Sequence, residues 1–168
     1  MIKNRILNLQ EILKDNEAFL VTSGSNRFYL TGFNSSAGTV LITKTRAVFF
    51  IDFRYFEKAK QTVKSAEVLL CNKLYFQINE LLKKHSIKTV FFETQTLSFS
   101  SFIGLCKNLE GAEISKDSTM QNYITNLRSI KENLLFPING QANIMAICCG
   151  RNCAASSMMV LLLMPMTK

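Results

Sequence analysis

A chain of 168 residues is long enough for one domain, or one domain with an appendage, and can bury a sizeable core. Its net charge of +8 arises from 20 Lys and Arg against 12 Asp and Glu. The basic residues are scattered among carboxylates without a dense run or stripe, so a nucleic-acid interface is not expected.

Ile2, Ile6, Leu9, Ile12 and Leu13 recur at helical spacing and predict a helix over Ile2 to Lys14, ended by Asp15 and Asn16. The apolar run Ala18 to Thr22 reads as a buried strand, bounded by Ser23-Gly24-Ser25-Asn26. Ser25 or Asn26 is placed to cap a single helical turn through Tyr29. Thr39 to Thr43 and Ala47 to Ile51 are β-rich runs joined by Lys44-Thr45-Arg46, a connector of hairpin length, and should pair antiparallel. From Phe53 the period changes: Phe56, Ala59 and Val63 share a helical face, so the second hairpin strand feeds directly into a helix.

A regular alternation follows. Strands are expected at Glu67 to Cys71 and Lys88 to Phe92, with a helix between them presenting Leu74, Ile78, Leu81 and Leu82. A further helix carries Phe99, Phe102, Ile103 and Leu109 and should stop at Gly111. Ala112 to Ser115 is a short strand candidate. Ser118-Thr119-Met120-Gln121 has the form of a capping box and opens a helix aligning Met120, Ile124 and Leu127. A hairpin followed by alternating strands and helices implies an α/β fold, a mixed β-sheet flanked by helices. At Asn133 the character changes: residues 133–168 hold no Asp or Glu, and both prolines of the chain, Pro137 and Pro165. Residues 1–132 therefore read as one domain and 133–168 as an atypical tail, disordered or frameshifted.

Few residues have the pattern of an active site. Several His, Asp or Glu side chains must converge to hold a hydrolytic metal, and the single histidine, His85, lies in the polar end of a helix where it should face solvent near the C-terminus. Ser23, Ser35 and Ser36 sit in turns, with only His85 available as a base, and turn chemistry accounts for them. The glycine-bearing segment Gly32 to Gly38 precedes a strand, whereas a phosphate loop would precede a helix. Cys148, Cys149 and Cys153 match no paired zinc spacing.

The apolar run from Ala154 to Met166 is shorter than the ~20 residues a bilayer span needs, so no membrane anchor is expected. The amphipathic start after Met1 lacks the form of a signal peptide, and five cysteines, an odd number, fit reduced thiols in a cytoplasmic protein. Asp52-Phe53-Arg54-Tyr55 is the most site-like stretch: at a strand-to-helix junction, an Arg between aromatic rings can hold a carboxylate while the rings exclude water. The plainer reading is that Asp52 caps the helix and the aromatics pack in the core.

Asn26, Tyr29-Leu30-Thr31-Gly32-Phe33, Ser36-Ala37-Gly38 and Asp52-Phe53-Arg54-Tyr55, at these spacings, resemble the N-terminal domain of the Xaa-Pro aminopeptidases and prolidases of the creatinase family. The resemblance continues to Leu127-Arg128-Ser129-Ile130-Lys131-Glu132, similar to the segment just before that family's catalytic domain. It implies a mixed-sheet unit of ribonuclease-H-like topology. It also implies a second domain of pita-bread fold, holding two divalent metals, manganese or cobalt, that drive removal of the residue preceding proline.

The acidic helical sequence expected after Glu132 is replaced here by the carboxylate-free tail. The expectation is therefore a truncated, non-catalytic N-terminal domain, inactive alone, with no cofactor or metal of its own. Phe53, Arg54 and Tyr55 match the family's Asp-x-Arg-Tyr region, and Asn26 and Tyr29 match the turn beside it, which implies a substrate-proximal or interface role. The implied partners are a second copy or a full-length family subunit, with proline-containing peptides bound only by the complete enzyme. The alternative is a standalone protein- or peptide-binding module with a pseudo-peptidase fold.

Overall fold

The computed structural model describes residues 2–135. The elements run α1 (Ile2–Ile12), β1 (Glu17–Val21), α2 (Gly24–Thr31), β2 (Thr39–Thr43), β3 (Ala47–Ile51) and α3 (Phe53–Thr62). They continue with β4 (Glu67–Leu70), α4 (Leu74–Lys84), β5 (Thr89–Phe92), α5 (Phe99–Asn108), β6 (Glu113–Ser115) and α6 (Thr119–Leu135). The six strands form one sheet in the order β4-β3-β2-β1-β5-β6. Strand β2 runs antiparallel to both its neighbours, with Leu20 opposite Leu41 and Leu41 opposite Val48. The remaining pairings are parallel. This is the expected mixed sheet, and it places the carboxyl ends of β1, β3, β4, β5 and β6 along a single edge.

Strict alternation divides the core into two layers. Phe19, Val21, Val40, Ile42, Phe49 and Ile51 face α1, α2, α3 and α6, packing on Leu9, Leu30, Ala59 and Ile124. Leu20, Leu41, Val48, Phe50 and Val90 face the other way, onto Ile78 and Leu82 of α4 and Leu105 of α5. All ten residues of β2 and β3 are buried, which is why these strands read as continuous apolar runs rather than alternating ones. At the start of β2, Gly38 has φ of +135°, and a Cβ there would lie 2.9 Å from the Phe49 ring and 3.0 Å from the Phe50 carbonyl oxygen. Only glycine lets the loop enter the sheet this closely.

Three local expectations are corrected. The helix after β1 has two turns, not one, and its cap is Ser23, whose side chain accepts from the Asn26 amide. Asn26 is 3% exposed and its side chain is committed elsewhere. Helix α5 ends at Asn108 with Leu109 as an extended cap, and Gly111 occupies the turn that follows. The capping box does not close: Asp117 accepts from the Thr119 amide at 2.9 Å and its hydroxyl at 2.7 Å. Ser118 takes the Asn122 side-chain amide instead, and Gln121 turns into the core to donate to Thr125. Helix α6 extends to Leu135, and beyond it the tail expectation lies outside the described residues.

Candidate functional site

The expected site residues fall into two separate groups. The first is the junction between β3 and α3. Asp52 is extended (φ −72°, ψ 165°) and caps α3 by accepting from the Arg54 amide at 3.0 Å. The same carboxylate takes the Arg54 guanidinium through Nε at 3.2 Å and Nη2 at 2.6 Å. That hydrogen bond to Arg54 holds the Asp52 carboxyl below its ordinary range, and the pairing raises Arg54 in turn. Arg54 thus binds a carboxylate from its own turn and stands over one ring, Tyr55, at 5.4 Å, rather than between two. Phe53 projects into solvent, 77% exposed, and excludes no water. Tyr55 carries the contact inward: its ring meets Phe33 edge-on at 6.4 Å, Phe33 meets Phe49 likewise, and its hydroxyl pairs with Ser36 Oγ at 3.0 Å. The junction is a fixed base with a solvent-facing Phe-Arg pair. To accept a foreign carboxylate, Arg54 would have to share its fork with Asp52.

The second group holds Asn26 and Tyr29, and sequence reasoning missed its centre. Glu93, the residue after β5, is fully buried. Its Oε2 accepts from the amides of Thr22 and Ser23, each at 2.6 Å, and from Thr22 Oγ1 at 3.2 Å. Its Oε1 accepts from Ser23 Oγ at 2.6 Å and Asn26 Nδ2 at 2.7 Å. A buried carboxylate is tolerable only when its lone pairs are filled in this manner. Asn26 passes the network on, accepting from Arg128 Nη1 at 2.8 Å, so α6 is tied to the end of β5 through one amide side chain.

Arg27 is also buried, bonded to the carbonyls of Thr22 and Ser35. Burial lowers its pKa and the Glu93 charge opposes that shift. Tyr29 is 8% exposed beneath the Arg5 guanidinium, 4.4 Å from the ring centroid, and burial raises its pKa against the pull of Arg5 and Arg128. The available signal for Glu93 was a lone carboxylate at the carboxyl end of a buried strand.

His85 caps the end of α4, as placed by the sequence, but it is half-buried, with Nε2 unpaired, rather than facing solvent. Among the described residues no three His, Cys, Asp or Glu side chains gather where they could hold a metal. Nor is any described helix long and apolar enough to cross a membrane.

Residues 5–130 match the family model for the Creatinase/Prolidase N-terminal domain. The chain belongs to that family. A Mycoplasma pneumoniae protein provisionally named a Xaa-Pro aminopeptidase is 36% identical over 101 residues, which is 59% of this chain and 28% of that protein. An uncharacterised Bacillus subtilis peptidase, YqhT, is 31% identical over 99 residues, 58% of this chain and again 28% of its own length. The chain thus spans little more than a quarter of these relatives. Among solved structures, a Xaa-Pro dipeptidase from Bacillus anthracis superposes with a TM-score of 0.65 at 26% identity, covering 79% of this chain and 39% of that one. A Xaa-Pro aminopeptidase from Streptococcus thermophilus gives 0.64 at 28%, covering 74% and 95%.

Proposed function

We propose that this chain supplies the non-catalytic N-terminal domain of a cytoplasmic Xaa-Pro peptidase, contributing to assembly and to substrate access. The observation that carries this reading is the β3–α3 junction. Phe53 and Arg54 are presented to solvent, while Tyr55, Ser36 and Phe33 fix their base. An exposed aromatic beside an oriented guanidinium suits contact with a neighbouring subunit or a peptide carboxylate. Asn26 and Tyr29 act in this reading by support: they hold α2, whose following loop delivers Phe33 and Ser36 to Tyr55.

Cleavage of the bond before proline belongs to a catalytic domain holding two divalent metals, manganese or cobalt. The described residues of this chain do not fit that donor set. In this reading the partner is a second copy or a full-length family subunit, and proline-containing peptides are substrates of the complete enzyme.

Sedimentation of the purified chain over a range of concentrations tests the assembly role. Reversible dimerisation is expected, weakened by Phe53→Ser and by Arg54→Ala without loss of helical signal. A monomer at all concentrations, with no uptake into a full-length relative, would overturn it. Manganese-dependent hydrolysis of a Xaa-Pro peptide by the chain alone would contradict the non-catalytic reading.

A further inference from the structure

A cleft of about 370 Å³ opens at the carboxyl-end edge of the sheet, on the face covered by α4 and α5 and opposite the layer that holds Tyr55. Its floor is aliphatic, formed by Leu20, Ile78 and Leu105. Its walls are hydroxyls, and it is lined by no Lys, Arg, His, Asp or Glu. No charged side chain among its lining residues could pair with an ionic ligand, which favours a neutral occupant.

The hydroxyls are not equivalent. Thr22 and Ser23 donate their hydrogens to Glu93, so towards the cleft they can only accept. Thr39, 6% exposed and facing the cleft from β2, makes no side-chain hydrogen bond among the described residues. Leu74 and Tyr75, which also line the cleft, belong to the first turn of α4, which has no side-chain cap, so that its leading amides lack a partner from the preceding residue.

We infer that this cleft binds an uncharged peptide unit bearing an aliphatic side chain. The N–H meets the acceptor oxygens of Thr22 and Ser23, the C=O meets the uncapped turn of α4 and the Thr39 hydroxyl, and the side chain lies on Leu20, Ile78 and Leu105. A main-chain amide has the donor and acceptor that these walls require, and the volume is within the range of small-ligand pockets. The inference goes beyond the role assigned to Arg54 and uses none of its residues.

The test is a methyl and amide NMR titration of the full chain with N-acetyl-L-leucinamide, a neutral peptide unit. Saturable shifts at Leu20, Ile78 and Leu105 are expected. Thr39→Val should weaken binding about fivefold, the loss of one hydrogen bond. Ser101→Phe, on the exposed first turn of α5 at the cleft wall, should abolish it and keeps the test valid if the strand variant does not fold. Absence of saturation, equal binding by both variants, or equal binding of zwitterionic leucine would overturn the proposal. Matching shifts with glucose would overturn the ligand class.

Discussion

The β3–α3 junction and the Glu93 network use the same chemistry, a carboxylate taking several donors at a strand end, to opposite purposes. At the junction Asp52 serves a cap and one exposed guanidinium, and both partners lie in its own turn. At the network Glu93 gathers donors from Thr22, Ser23 and Asn26, up to 71 residues away in sequence, inside the core. A carboxylate in contact with water is cheap to disturb and leaves its neighbours free to act. One sealed from water becomes a structural joint, since breaking it leaves a buried group without its partner.

This contrast should appear as a gradient of stability in urea unfolding. Glu93→Ala should have the largest effect, about 3–5 kcal/mol, because it takes the common acceptor from the half-buried Thr22 and Ser23 and the buried Asn26 and leaves Arg27 without its counter-charge. A loss under about 1 kcal/mol would mean that water enters and the joint is not sealed. Gly38→Ala, between the two regions, should cost about 1–3 kcal/mol through its positive φ and the contact with Phe49.

Arg128→Met should cost about 1–2 kcal/mol and raise amide exchange selectively in α6. A double-mutant cycle with Asn26→Ala would show whether the two act through their shared bond. The smallest effect belongs to Asp52. Its folded carboxyl lies below its ordinary value of 3.8, so its contribution is fully present above the ordinary carboxylate range and fades as pH falls through the folded value. Asp52→Asn should remove that acid-side dependence and lower stability at neutral pH by the same small amount, bringing it to the level the native chain reaches in acid; an unaltered acid limb would break the comparison.

Local physics made most of the fold legible. The hairpin strands were placed at their observed ends because central strands buried on both faces give uninterrupted apolar runs with a polar connector between them. The cap role of Asp52 was equally readable, since a cap and its helix are adjacent in sequence. Two of the misses involve partners distant in the chain. Asn26 looked like a cap because its amide is suited to one, but Glu93, 67 residues on, claims that side chain. Ser36 and Tyr55, 19 apart, meet only after the hairpin has formed. Gln121 fits a capping box in one dimension, whereas its position on the inner face of α6 turns it to the core.

The reversed strand β2 also sets the order in which the sheet can form. Because β1, β2 and β3 pair as a continuous meander over residues 17–51, their contacts close short loops and can assemble early. Strand β5 must return from residue 89 to lie beside β1. The bonds of Glu93 exist only once that return is complete, so the last strand to dock on the meander carries its own latch.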